Sequence, residues 1–326
     1  MKMAKSLTYT NGVIAVREKY LLKDKIFKLC EGSAEEALRA VSESGFGKGA
    51  EVSSVYDYEK LIAADEAEID NFIREYAPSQ VEKEYLLSPR DFHNAKALIK
   101  ALHLNLDTEN LLAPDGMYSS NFILECIKNG DTQPLNRQLQ QAIKETQELF
   151  ADESKAVSGA EIGIIFDKAQ FEHLSAVCSK NLLLRKIISV KADMTNILTA
   201  LRATEADYAE NSFVSGGKIK KETLLSLFEE DRKKAEDAFK GTPYYEFVIS
   251  CLDAKQASLP LAAAEKIADS YEAEYFNSKK YELKRNQPFL YYIFRRRAEN
   301  SNVRILFVCL LAGMREHDIK RRLRAI

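Results

Sequence analysis

The chain has 326 residues with 47 Lys or Arg against 49 Asp or Glu, a net charge of −2, and an apolar content of 46%. That apolar share supplies a sizeable core, while the near-neutral total argues against a chain that is basic throughout. With only 13 Gly and 7 Pro, and with Ala, Leu, Glu and Lys filling the periodic stretches, long helices joined by few tight turns are expected.

The opening "TYTNGVIAVREKYLLKDKIFKLC" places Val13, Val16, Tyr20, Ile26, Phe27 and Cys30 at helical spacing. Ser33 followed three residues later by Glu36 is a capping box at the head of another helix, and the glycines of "GFGKG" stop that helix. The same glycines do not make a phosphate loop, because Lys48 is followed by Gly49 and not by Ser or Thr.

Helical periodicity resumes from Tyr56 to Ala77 and, after Pro78, from Val81 to Leu87. "LLSPRD" then reads as a new helix start, with Ser88 as N-cap, Pro89 in the first turn and Asp91 bonding back to the cap. This accounts for Asp91 but not for Asn94, three residues further on.

An internal repeat accounts for both. Aligning "RDFHNAKALIK" with "ADMTNILTALR" puts Asp91 on Asp193, Asn94 on Asn196, Ile99 on Leu201 and Lys100 on Arg202. A glycine follows the Asn after 22 residues in the first copy (Gly116) and after 21 in the second (Gly217). A shorter third copy carries Glu299 and Asn302 with Val303, Leu306 and Phe307, and reaches Gly313 after 11 residues. Three related helical units are expected, over 1–127, 128–228 and 229–326, with no Pro-, Ser- or Gly-rich linker between them and hence one rigid body.

Residues i and i+3 share a helical face, so each acid and amide project together among apolar neighbours. Buried at a helix crossing, an unpartnered Asn costs about 1–3 kcal/mol, so these groups are expected to bond the backbone ends of adjacent helices and fix the crossing. A catalytic reading would need the three acids to converge on one cleft with shifted pKa values.

Signatures of other chemistries are missing: no nucleophile elbow, no zincin pair, no dinucleotide fingerprint after a strand. The five cysteines are far apart and the four histidines lack metal-ligand spacing, so neither a metal site nor another cofactor is expected, and a reducing cytosol fits best. The longest strongly apolar run, "ILFVCLLAGM", has 10 residues where a membrane span needs about 20, and no basic and apolar leader opens the sequence, so a soluble protein is expected. "EEDRKKAEDAFK" reads as a solvated face with paired charges, and Phe289, Tyr292 and Ile293 read as core.

Charge is unevenly spread. Residues 279–326 hold 13 Lys or Arg against 4 acids, and everything before them is correspondingly acidic. Arg295, Arg296, Arg297, Lys320, Arg321, Arg322 and Arg324 either grip an acidic partner or merely solvate helix ends. A helical nucleic-acid binder using that tail, and a stand-alone helical scaffold, are the competing readings. The acidic remainder and the lack of basic and aromatic interleaving count against the first.

"QPFLYYIFRRRAENSNVRILFVCLLAGMREHDIKRRL" resembles the closing signature of the C subunit of the bacterial and archaeal A/V-type rotary ATPases, the family that includes the d subunit of the eukaryotic V-ATPase. The matching positions are Pro288, Tyr292, Ile293, Glu299, Asn302, Arg304 and Gly313. Arg17 with Leu21 and Leu22, both long Asp/Asn helices and Gly217 also fit, so the resemblance covers nearly the whole chain. It implies an all-α protein of three similar units arranged as a pseudo-threefold funnel, peripheral to the cytoplasmic membrane on its cytoplasmic side. It further implies that the funnel sits on the membrane rotor ring, receives the foot of the central shaft formed by the D and F subunits, and hydrolyses nothing itself. Within that family picture, Asp91, Asn94, Asp193, Asn196, Glu299, Asn302 and Arg304 are expected to act as structural polar clamps.

Overall fold

A computed structural model describes residues 6–18, 22, 25–104, 106–108, 111–151, 157–203, 205–228, 232–258, 261–278, 281 and 284–324. Tyr20, Leu21 and the opening "EED" of the acidic–basic run at 229–231 lie outside these. The described residues are all-α, with no strand.

In chain order the helices are α1 (Leu7–Arg17), α2 (Lys25–Leu29), α3 (Ala34–Glu43), α4 (Tyr58–Tyr76), α5 (Gln80–Leu104), α6 (Ser120–Asn129), α7 (Arg137–Ala151) and α8 (Gly159–Val177). There follow α9 (Leu182–Arg202), α10 (Ala206–Ser212), α11 (Lys221–Leu225), α12 (Arg232–Phe239), α13 (Tyr245–Gln256), α14 (Ala262–Ser278), α15 (Gln287–Leu311) and α16 (Glu316–Arg322). They fall into two compact units: one made of Met1–Glu82 with Asp269–Ile326, the other of Lys83–Ala268.

In the unit that joins the two ends of the chain, α15 is the central element. Phe289, Leu290, Tyr292 and Ile293 near its start and Val303, Leu306 and Phe307 near its end are all buried, so it is covered on nearly every side. Pro288 sits in its first turn, where a missing N–H costs nothing. Against it α4 presents Leu61, Ile62, Ile69, Phe72 and Ile73. Phe72 packs at 5.9 Å from Phe289 and edge-on at 5.2 Å from Tyr292, while Tyr58 stacks on Phe307 at 5.1 Å. Ile26, Cys30, Ala37 and Val41, from α2, α3 and the turn between them, complete the core with Ile319 and Leu323.

Helix α3 begins as its sequence dictates: Glu36 N–H donates to Ser33 Oγ at 3.2 Å and Ser33 N–H donates to the Glu36 carboxylate at 2.9 Å. It ends in the glycine turn, where Gly47 has φ +61° and a Cβ there would fall on the backbone of Leu61. The face of α1 differs from the periodic reading: Thr10 and Ile14 are buried, whereas Val16 is 55% exposed.

The second unit is built on α5 and α9. Phe92, Ala95, Leu98 and Ile99 of α5 pack with Ile123 and Ile127 of α6, Leu139 and Ile143 of α7, and Ile162 and Phe166 of α8. Along α9, Leu184, Ile187, Ile188, Ala192, Ile197 and Leu201 are buried.

The expected helix start at Ser88 is overturned. Helix α5 runs unbroken through Pro89, and Ser88 is a buried mid-helix residue. Proline there removes a backbone donor and costs about 3 kcal/mol, but Tyr85, Leu86 and Leu87 before it and Phe92 and Ala95 after it are all buried. Burying a large apolar side chain is worth about 1.5–3 kcal/mol each, so packing outweighs the local signal.

Candidate functional site

Each long helix that carries a polar pair uses its amide in the same way. Asn94 of α5 donates through Nδ2 to the carbonyl of Ala113 (3.1 Å) and accepts from Ala113 N–H through Oδ1 (2.8 Å). Asn196 of α9 makes the matching bonds to Val214, at 3.0 and 2.8 Å, and Asn302 of α15 makes them to Arg324, at 2.9 and 2.7 Å. A planar amide offers one donor and one acceptor side by side, which matches the N–H and C=O of one backbone residue. All three Asn side chains are buried, at 0%, 5% and 0% exposure.

The acids differ more. Asp91 accepts from Met117 N–H through Oδ2 and from Tyr118 N–H through Oδ1, both at 3.1 Å. Asp193 Oδ1 accepts from Lys218 N–H (2.7 Å) and Ile219 N–H (2.9 Å), and its Oδ2 accepts from the Tyr244 hydroxyl (2.7 Å). In both copies the repeat glycine is where the carboxylate lies: a Cβ on Gly116 or Gly217 would fall on Oδ1 of Asp91 or Asp193. The shared spacing of acid, amide and glycine thus encodes a loop pressed onto a helix.

Glu299 breaks that pattern. Its carboxylate accepts from Leu22 N–H, at the start of the chain, and Gly313 has no part in the contact. Gly313 only ends α15, with φ +66°, so the glycine register suggested for the third copy is corrected: the residue matching Ala113 and Val214 is Arg324, after α16.

Around Glu299 lies an ionic cluster. Arg296 pairs with Asp65 of α4, lies 3.8 Å from both Glu68 and Glu299, and is only 7% exposed. Asn300, with its amide oriented to suit its acceptors, donates to Asp65 Oδ2 (2.7 Å) and to the Arg296 carbonyl (3.2 Å). Arg17 holds Glu68 at 2.7 Å while lying over the Phe72 ring. Burial pushes the Glu299 carboxyl up to about 7, against the pull of Arg296 and the Leu22 N–H. Asp65 is pushed up to about 6 by burial and by Glu68, again with Arg296 opposing.

The basic segment is therefore not one surface. Arg295 and Arg296 do not offer their charge outward: Arg295 is 8% exposed, lies 3.4 Å from Glu18 and covers the Tyr291 ring. Arg304 faces solvent and holds Glu59 through two bonds of 2.9 and 3.0 Å. Lys320 bridges Glu31 at 3.1 Å and also pairs with Glu316. Arg324 is tied by its backbone to Asn302. Arg297 is half-buried, and Arg321 and Arg322 are exposed on α16.

Asp65 and Tyr244 are partners that the repeat did not reveal. Asp65 had a signal, since it lies between Ile62 and Ile69 on the apolar stripe of α4, where an acid needs a buried counter-charge. Tyr244 had none that sets it apart from 14 other tyrosines.

On all three long helices the amide is taken up by one backbone residue and the carboxylate accepts from a backbone N–H. The chain belongs to the ATP synthase (C/AC39) subunit family, whose profile matches residues 10–322. It is 25% identical over 282 residues to the C subunit of the V-type sodium ATPase of Enterococcus hirae, covering 83% of each chain. No helix among the described residues is long and apolar enough to cross a membrane.

Proposed function

We propose that this protein is the non-catalytic central-stalk component of an A/V-type rotary ATPase, a socket that couples the shaft of the D and F subunits to the membrane rotor ring during proton or sodium transport. Family membership supports the complex, and the Enterococcus relative carries a sodium ATPase name. The observation that carries the mechanical role is the thrice-repeated two-bond amide clamp, at Asn94, Asn196 and Asn302. A part that transmits torque has to resist twisting, and buried, fully satisfied polar contacts resist it in a way that sliding apolar faces do not.

In this reading the three related stretches, 1–127, 128–228 and 229–326, form a pseudo-threefold funnel on the cytoplasmic face of the membrane, held there through the ring. The exposed Arg321 and Arg322 of α16, with the half-buried Arg297 of α15, supply positive charge for an acidic surface of ring or shaft.

Pull-down from native membranes tests the assignment. Recovery of the D, F and ring proteins at matched stoichiometry is expected, and a chain recovered alone would end the proposal. Arg321→Glu with Arg322→Glu is expected to weaken capture at physiological salt; unchanged capture removes that surface from the interface.

A further inference from the structure

At the corner where α8 passes into α9, a cavity of about 540 Å³ lies wholly within the second unit. Its polar lining is Ser175, Ser179, Arg185, Lys186, Ser189 and Lys218, and no carboxylate is among its lining residues. The three cations are exposed, but Ser189 is 6% exposed and its hydroxyl has no hydrogen-bond partner. An unbonded hydroxyl taken out of water is costly, so a buried serine left this way beside a cationic cavity calls for an acceptor.

The loop that carries Lys218 is held in place from below. Asp193 binds the Lys218 and Ile219 N–H groups, and Gly216, at φ +95°, brings the loop so near α8 that a Cβ there would lie 3.1 Å from Ser175 Oγ. The start of α9 adds the positive end of a 21-residue helix, and Leu182 with Ile188 gives an apolar wall. We propose that this cavity binds an anion bearing a phosphate group, with Arg185 and Lys218 as charge partners and the serines as donors. Its volume, within the range usual for small-ligand sites, exceeds what a bare phosphate needs and leaves space for the group that carries it.

The first copy of the repeat serves as an internal control. Aligned on the clamp acids, Arg185 falls on Lys83, Lys186 on Glu84 and Ser189 on Leu87, and aligned on the repeat glycines Lys218 falls on Met117. The clamp itself is common to both copies, so Lys186, Lys218 and the buried Ser189 are additions of the second copy and not by-products of the loop geometry.

Two sources share this chemistry, a soluble phosphate compound and a lipid headgroup, and two arms on the full-length chain separate them. Calorimetric titration with inorganic phosphate is expected to give saturable binding, weakened at least about tenfold by Arg185→Ala with Lys218→Ala, since each removes a charged partner. Ser189→Ala is expected to weaken it by a smaller factor, and Lys144→Ala, at an exposed position on α7, to leave it unchanged. Co-sedimentation with phosphatidylcholine vesicles, with and without phosphatidic acid, is the second arm. Binding that requires phosphatidic acid and is lost in the double variant assigns the site to a headgroup; phosphate binding without sedimentation assigns it to a soluble anion. No saturable binding in either arm, or binding that survives the double variant, overturns the proposal. Because Arg185 and Lys218 are exposed, an unchanged melting temperature separates loss of the site from loss of the fold.

Discussion

The clamps of α9 and α15 share an amide geometry and differ in everything attached to the acid. On α9, Asp193 is satisfied by two backbone N–H groups and a tyrosine hydroxyl, all within the second unit. On α15, Glu299 has one backbone donor, and Arg296, drawn in by Asp65, lies 3.8 Å away. Backbone donors carry no net charge and do not titrate, whereas a buried Arg between two carboxylates ties the unit to pH. The same sequence motif thus meets neutral donors in one place and a buried guanidinium in the other.

Removing Arg296 breaks this comparison hardest. Arg296→Met leaves Asp65 and Glu299 buried without their counter-charge, and breaking a buried pair from one side costs about 3–5 kcal/mol. The loss is expected to be greatest at pH 8 and much smaller at pH 5, where both carboxyls protonate. Chemical denaturation of the variant at the two pH values checks it; equal losses would mean that the cluster does not carry the charge assigned to it.

Acid groups raised by burial also give the parent chain a profile of definite sign. Glu299 titrates near 7 in the folded protein, above its ordinary 4.5, and Asp65 near 6, above 3.8, so the folded state binds more protons between those limits. Their contribution is fully present below the ordinary values and lost as pH rises through about 6 to 7. Stability is expected to fall as pH is raised from 5 to 8, and Glu299→Gln, which keeps an acceptor for Leu22, is expected to flatten that fall. A profile that rises over this interval would reverse the sign.

Gly217→Ala sharpens the other side. The new Cβ displaces the Asp193 carboxylate from the Lys218 and Ile219 donors, and each buried group left unsatisfied costs about 1–3 kcal/mol, so a loss of about 2–4 kcal/mol is expected. Asn196→Ala orphans both polar groups of buried Val214 and is expected to cost about the same, whereas Asn302→Ala acts on the half-exposed Arg324 and is expected to cost about 1–2 kcal/mol. Melting curves of the two variants side by side check the order.

The amides were legible in the sequence because they obey local rules: an i+3 pair on an apolar face, repeated three times and in two of the copies 21 or 22 residues before a glycine. What they bind, 18 to 22 residues away, follows once a loop must fold back on its own helix. The partners of Glu299 were not legible, since Leu22 lies 277 residues away and Asp65 lies 231 residues from Arg296, and no local pattern records such a meeting. Pro89 misled in the opposite direction: Ser-Pro-x-Asp is a sound helix start by local chemistry, but apolar burial on both sides carried the helix through it.

Arg304 sets the lower end of the scale. It stands in the family signature two residues after Asn302 and holds Glu59 with two well-formed bonds, yet both side chains are about half exposed, at 44% and 50%. Exposed pairs gain little, because water screens the charges and two long side chains lose freedom to meet, so Arg304→Ala is expected to cost less than about 1 kcal/mol. Raising the salt concentration should shrink even that, while leaving the Arg296 and Gly217 losses nearly intact. If Arg304→Ala instead matched Arg296→Met in a denaturation series, exposure would be a poor guide to which polar contacts hold α15, and the contrast between its buried and solvated faces would fail.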